Sequence, residues 1–173
     1  MLIAMLWSAM AMKSLFSHQS LVADPIMPAI LLDNIFNPWD EIQRHQDEHL
    51  QSGHYGATAT FVGTMRDFNI NETVSHMTLE HYPAMTQHYL DTLCSQSIEN
   101  YDLDDCLVIH RFGDIHPGEP IVLTAAWSAH RAQAFDACRY LMEELKARAP
   151  LWKKEVTADG ERWVHNDQQT KEE

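Results

Sequence analysis

The chain has 173 residues, 45% of them hydrophobic, with 12 Lys and Arg against 25 Asp and Glu, giving a formal net charge of -13. That length and apolar content suit one globular domain with its own core, and the negative field argues against generic binding to DNA, RNA or an anionic membrane. Three cysteines (Cys94, Cys106, Cys138) without a CxxC spacing point to neither a disulfide framework nor a zinc knuckle, and they fit a reducing, cytoplasmic location.

The chain opens with MLIAMLWSAMAM, an apolar run of 12 residues, too short to span a bilayer. Lys13 follows this run, whereas a secretory signal needs its charge ahead of it. Residues 1–26 are therefore expected to be a disordered extension or an upstream start. The folded domain is expected to run from Met27 to about residue 165, with 166–173 a polar tail.

NPWDEIQRHQDEH (37–49) predicts a turn into a polar helix, and YGATATFVGTM (55–65) alternates at period two as a strand does. RDFNIN (66–71) reads as a loop and TVSHMTLEHY (73–82) as a second strand. Pro83 starts a helix on which Met85, Tyr89, Leu93 and Ser97 share a face. CLVIHRFGDI (106–115) and PIVLTAAWSA (120–129) are strands around an HPGE turn. The longest helix runs from about His130 to Ala149, where Pro150 stops it. LWKKEV and ERWV flank Asp159-Gly160, a hairpin signal. The class is α+β: a largely antiparallel sheet, a few packed helices and a C-terminal β-hairpin.

Charge is uneven. Residues 131–162 hold Arg131, Arg139, Lys146, Arg148, Lys153, Lys154 and Arg162, a basic island suited to a small anionic ligand, or alternatively a solvated face laced with ion pairs. On the long helix Phe135, Cys138, Leu141, Met142 and Leu145 fall on one arc of about 120°, read as core. Cys138 is then a buried structural thiol rather than a nucleophile. Lys146 lies at the edge of that arc, where a lysine either snorkels or lines a pocket. His130 and Arg131 sit where a strand meets a helix N-terminus, electrostatically wrong for stability but well placed for a phosphate. Arg66, in a loop after a strand, is a third candidate. The 11 histidines lack an HExxH-like spacing, so no metal or other cofactor is expected.

GATATFVGTMRDFN, TLEHYPAMT, VIHRFGDIHPGE, SAHRAQAF and LKARAPLWKKEVTADGERWV, between about Ile35 and Val164, together resemble the catalytic (large) subunit of molybdopterin synthase. The pairing of SAHR with LKxRAPxWKKE at this distance is highly specific. The resemblance implies an enzyme of molybdenum cofactor biosynthesis. It would convert cyclic pyranopterin monophosphate (precursor Z) to molybdopterin by inserting two sulfurs as a dithiolene. The sulfur donor would be the C-terminal thiocarboxylate of a ubiquitin-like small subunit ending in Gly-Gly. The large subunit would form a homodimer within a heterotetramer. This chain ends in QQTKEE, so it is not expected to be the sulfur carrier itself.

Residue by residue, the resemblance implies that Lys146 is the principal catalytic lysine and Lys153 the second. Arg66, His130 and Arg131 would bind the substrate's anion, with Thr64, Met65, Lys154 and Glu155 completing its contacts. Phe61 and Met142 would line the site near the incoming tail. Relatives often carry a basic residue at the position of Thr64, so one positive charge is lost here. A non-catalytic adaptor for a ubiquitin-like partner, and a small phosphate-ester hydrolase, are the competing classes. Intact lysines weigh against the first, and the lack of a metal motif against the second.

Overall fold

The computed structural model describes residues 29–69, 72–157 and 160–164. The expectations for residues 1–26 and for the tail at 166–173 lie outside the described residues. No helix among the described residues is long and apolar enough to cross a membrane.

Local signals account for the element boundaries. Helix α1 (Pro38–His49) is capped by Asn37, whose side chain accepts from the Trp39 backbone N–H at 3.1 Å, with Pro38 in its first turn. Helix α2 (Pro83–Tyr101) starts at its proline and ends at Asp102, which adopts the left-handed conformation at φ 50°. Helix α3 (Arg131–Arg148) ends one residue before Ala149, because a residue preceding proline is pushed to extended backbone.

A four-stranded sheet has the order β1 (Ala29–Leu32), β5 (Asp105–Arg111), β7 (Pro120–Ser128), β2 (Ala57–Thr64). The β1–β5 pair is parallel and the others antiparallel. Strand β1 is four consecutive residues, AILL, with no alternation to mark it. A second sheet, antiparallel throughout, has the order β3 (Phe68–Asn69), β4 (Glu72–His81), β8 (Leu151–Thr157), β9 (Gly160–Val164), with β6 (Gly113–Ile115) also on β4. The β8–β9 hairpin is where Asp-Gly predicts it.

Two expectations change here. The 66–71 loop contains the short strand β3. The strand expected over 106–115 is two, because the chain breaks at Phe112 and Gly113 takes φ 77°, a left-handed value that favours glycine. Strand β5 stays in the first sheet and β6 joins the second, so this corner links the sheets. Arg111, 4% exposed, pins it by donating to Glu119 at 2.8 Å and to the Asp114 carbonyl at 3.1 Å.

Helices α2 and α3 cover one face of the first sheet through Leu90, Leu93, Ala134, Ala137, Leu141 and Leu145, against Ala59, Cys106, Val108 and Ala126. Phe36 and Ile42 cover the other face, over Leu107, Ile109, Leu123 and Trp127. Strand β5, covered on both faces, is buried along its whole length. The second sheet has its own small core of Met65, Val74, Met77, Leu79 and Ile115.

The helix faces also differ from the periodicity. On α3 the buried residues are Ala134, Ala137, Cys138, Leu141 and Leu145, and Phe135 is 65% exposed. The buried arc is turned by about 50° from the predicted one, because the two alanines let the helix lie close on the sheet. On α2 the buried face runs through Thr86, Leu90, Leu93, Cys94 and Ser97, and Met85 is exposed.

Candidate active site

The two sheets and the C-terminal half of α3 line a half-open cavity of about 400 Å³. Strand β2 contributes Phe61, Gly63 and Thr64, and α3 contributes Met142, Leu145 and Lys146. Val74, Met77 and Leu79 of β4 form an apolar wall, and β8 adds Leu151, Lys153 and Glu155. Met65, Arg66 and Phe68 complete the lining. The register of β2 on β7 slips between Gly63 and Thr64, so the chain leaves the sheet there and turns along the cavity. A side chain at Gly63 would meet Val122 Cγ1 at 2.8 Å, which ties this wall to a residue without one.

Lysines 146 and 153, seven apart with a proline between them, reach the same cavity from a helix end and a strand. Lys146 is exposed and lies in the last turn of α3, where its charge also complements the helix dipole. Lys153 is held by Glu155, Nζ to Oε1 at 3.0 Å. The same carboxylate, 3% exposed, accepts from Arg162 Nη2 at 3.1 Å. Strand alternation puts Lys153 and Glu155 on one face. The Arg66 guanidinium lies 5.0 Å over the Phe68 ring and meets no carboxylate among the described residues. Met65 is 5% exposed, and its backbone is held by Glu119 and Gly118 at 2.9 and 2.8 Å. It can therefore meet a ligand only as apolar wall.

Three residues expected to contact the substrate are not in this cavity. Lys154 projects from the other face of β8, where it pairs with Glu161 at 3.0 Å and lies over the Trp163 ring; the two-residue period of the strand separates it from Lys153. His130 and Arg131 cap the far end of α3, about 22 Å along the helix from Lys146 at its rise of ~1.5 Å per residue. Trp152, between Leu151 and Lys153 on β8, is 43% exposed and meets the edge of Tyr82. Cys138 is buried beside Thr124, Sγ to Oγ1 at 3.3 Å, and burial pushes its thiol pKa up.

Sequence reasoning missed His110, which lies in VIHRFG at the end of β5 and also lines the cavity. Its signal was weak: a single histidine closing a run of apolar residues. Burial without a carboxylate partner holds its pKa down at about 4, so the ring is neutral.

A half-open site walled by methionine, leucine and valine, with two lysines and an arginine among its lining, suits an anion attached to a partly apolar body. This arrangement sits in an α+β fold of known kind. The chain belongs to the MoaE protein family, whose model matches residues 38–148. It is 51% identical to the molybdopterin synthase catalytic subunit of Ralstonia nicotianae over 63% of this chain, which spans 62% of that relative's length, less than two thirds. The subunit of the same name from Pseudomonas aeruginosa is 46% identical over 75% of this chain and 84% of its own. A solved MoaE protein of molybdopterin biosynthesis from Burkholderia ambifaria superposes with a TM-score of 0.68 at 35% identity, covering 83% of this chain and 92% of that one.

Proposed function

We propose that this chain is the catalytic subunit of a molybdopterin synthase. In this reading it transfers sulfur from the C-terminal thiocarboxylate of a small ubiquitin-like partner to cyclic pyranopterin monophosphate, forming the dithiolene. The observation that carries the proposal is the convergence of Lys146, Lys153 and Arg66 on one cavity with apolar walls. Thiocarboxylate and cyclic phosphate are both anions, and cations held at an apolar cavity stabilise them more than cations in water do. The slender Gly-Gly tail enters beside Phe61 and Met142, which line the cavity. Arg66 and Lys153 hold charge, with Thr64 offering a hydroxyl, and Glu155 keeps Lys153 aimed. Lys146 acts on the reacting carbonyl and phosphate by proton transfer or as a transient nucleophile.

The chain acts in the cytoplasm as a homodimer, with one small subunit on each protomer. His130 and Arg131 serve the phosphate from the second copy, since within one chain α3 holds them away from the cavity. Lys154 supports the hairpin rather than touching substrate.

The test is a single-turnover assay with thiocarboxylated partner and substrate, with partner binding and thermal melting as controls. Lys146→Ala should stay folded and bind the partner, because the contact spreads over far more surface than one side chain. Its product formation should fall at least about a hundredfold, the scale for losing a positioned acid or base. Lys146→Arg should not restore it, since guanidinium stays protonated. Near-normal turnover by Lys146→Arg would reduce the role of Lys146 to positive charge.

A further inference from the structure

His110 has a fixed tautomer. Its Nδ1 lies 2.8 Å from the Arg111 carbonyl oxygen, and a carbonyl only accepts, so Nδ1 carries the proton. In the neutral ring Nε2 then holds a lone pair. Among the described residues no hydrogen bond reaches Nε2, and His110 is one of the residues lining the cavity. Desolvation also lowers the pKa of His81, whose charge would in turn disfavour a proton on His110. Among the described residues neither ring is paired with a carboxylate.

This matters because of what else lines the cavity. Arg66, Lys153 and a protonated Lys146 donate, the Glu155 carboxylate is engaged by Lys153 and Arg162, and the Thr64 hydroxyl is the other side-chain acceptor in the lining. A ligand recognised through its anion alone would be well served. Both molecules proposed to enter also bring neutral N–H groups: the peptide amides of a Gly-Gly tail, and the ring and amino N–H groups of a pterin. Against apolar walls these need an acceptor, because a buried unpaired donor weakens binding.

We propose that His110 is a further ligand-binding residue of this cavity, its Nε2 accepting a hydrogen bond from a neutral N–H donor of the entering tail or heterocycle. The inference rests on the function proposed above.

Two variants separate recognition from scaffolding. His110→Asn keeps a donor where Nδ1–H stands, and so the bond to the Arg111 carbonyl, but has no atom at Nε2. His110→Gln places an acceptor near Nε2 and gives up the Nδ1 donor. Each full-length variant is titrated with the small partner ending in an ordinary Gly-Gly carboxylate, and assayed for KM and kcat with the pterin substrate. We expect His110→Asn to lose about 3- to 10-fold, the scale of one neutral hydrogen bond, with His110→Gln close to wild type. Loss in partner Kd identifies the tail amide as the donor; loss in KM with kcat kept identifies the heterocycle. In the wild-type protein, the Nε2 resonance of ¹⁵N-labelled His110 should shift on addition of the same ligand. The reverse ranking, with His110→Asn normal and His110→Gln impaired, would make the residue structural and overturn the proposal, as would an unmoved resonance. A wild-type chain that neither binds the partner nor turns over substrate would remove the functional reading and this inference with it. A wild type that does both, alongside a normal His110→Asn, removes this inference alone.

Discussion

Replacing Glu155 by Gln keeps the shape of the side chain and deletes one charge. The carboxylate is 3% exposed and serves two cations, with Lys153 Nζ at 3.0 Å and Arg162 Nη2 at 3.1 Å. Removing one member of a fully buried ion pair costs about 3–5 kcal/mol, because the other is left without compensation. Here the partners' side chains are 23% and 37% exposed, so water recovers part of that loss, and about 2–3 kcal/mol is expected. For a domain of this size the melting temperature should fall by roughly 6–10 °C. Urea unfolding of the single variants Glu155→Gln and Arg162→Gln and of the double variant should return a coupling energy of about 1–2 kcal/mol. Turnover should fall toward that of Lys153→Ala, since the lysine loses the group that aims it. A melting temperature within about a degree of wild type, or strictly additive effects in the cycle, would refute the claim that this carboxylate organises the strand and the site.

Lys154→Ala should leave single-turnover rates within about twofold of wild type, while Lys153→Ala lowers them by about tenfold or more; equal losses would contradict the placement of Lys154 on the far face of β8. His110 makes stability acid-sensitive. Its folded pKa of about 4 lies below the ordinary 6.5, so between those values the unfolded chain binds the proton and the folded chain does not. The stability contribution is complete above pH 6.5 and is lost as pH falls toward 4, by up to about 3 kcal/mol. Urea midpoints measured down this range should fall less steeply in His110→Gln, and identical slopes would count against the buried neutral ring.

Much of this was legible in the chain itself, for physical reasons that act over short distances. Asn37-Pro38, Pro83 and Pro150 marked helix ends because caps and proline sterics depend on adjacent residues. Period-two alternation marked β2 and β4, and Asp-Gly the final hairpin. The motif around Lys146 and Lys153 marked where chemistry should lie, and both residues line one cavity.

What the tertiary structure decided depends on how elements meet. Periodicity gives the width of an apolar arc but not which side of it faces the sheet, so the close approach of Ala134 and Ala137 left Phe135 in solvent. A continuous stretch from Cys106 to Ile115 looks like one strand until Gly113 turns it from one sheet into the next. Lys153 and Lys154 are neighbours in sequence, yet the pleat sends one to the cavity and the other to Glu161. His130 and Arg131 are residue types suited to an anion but lie a helix length from the lysines they were grouped with. The chain alone specified which side chains could bind an anion; the angle between two sheets and the rotation of one helix selected those that share a cavity, because that selection is made by packing across distances no local pattern encodes.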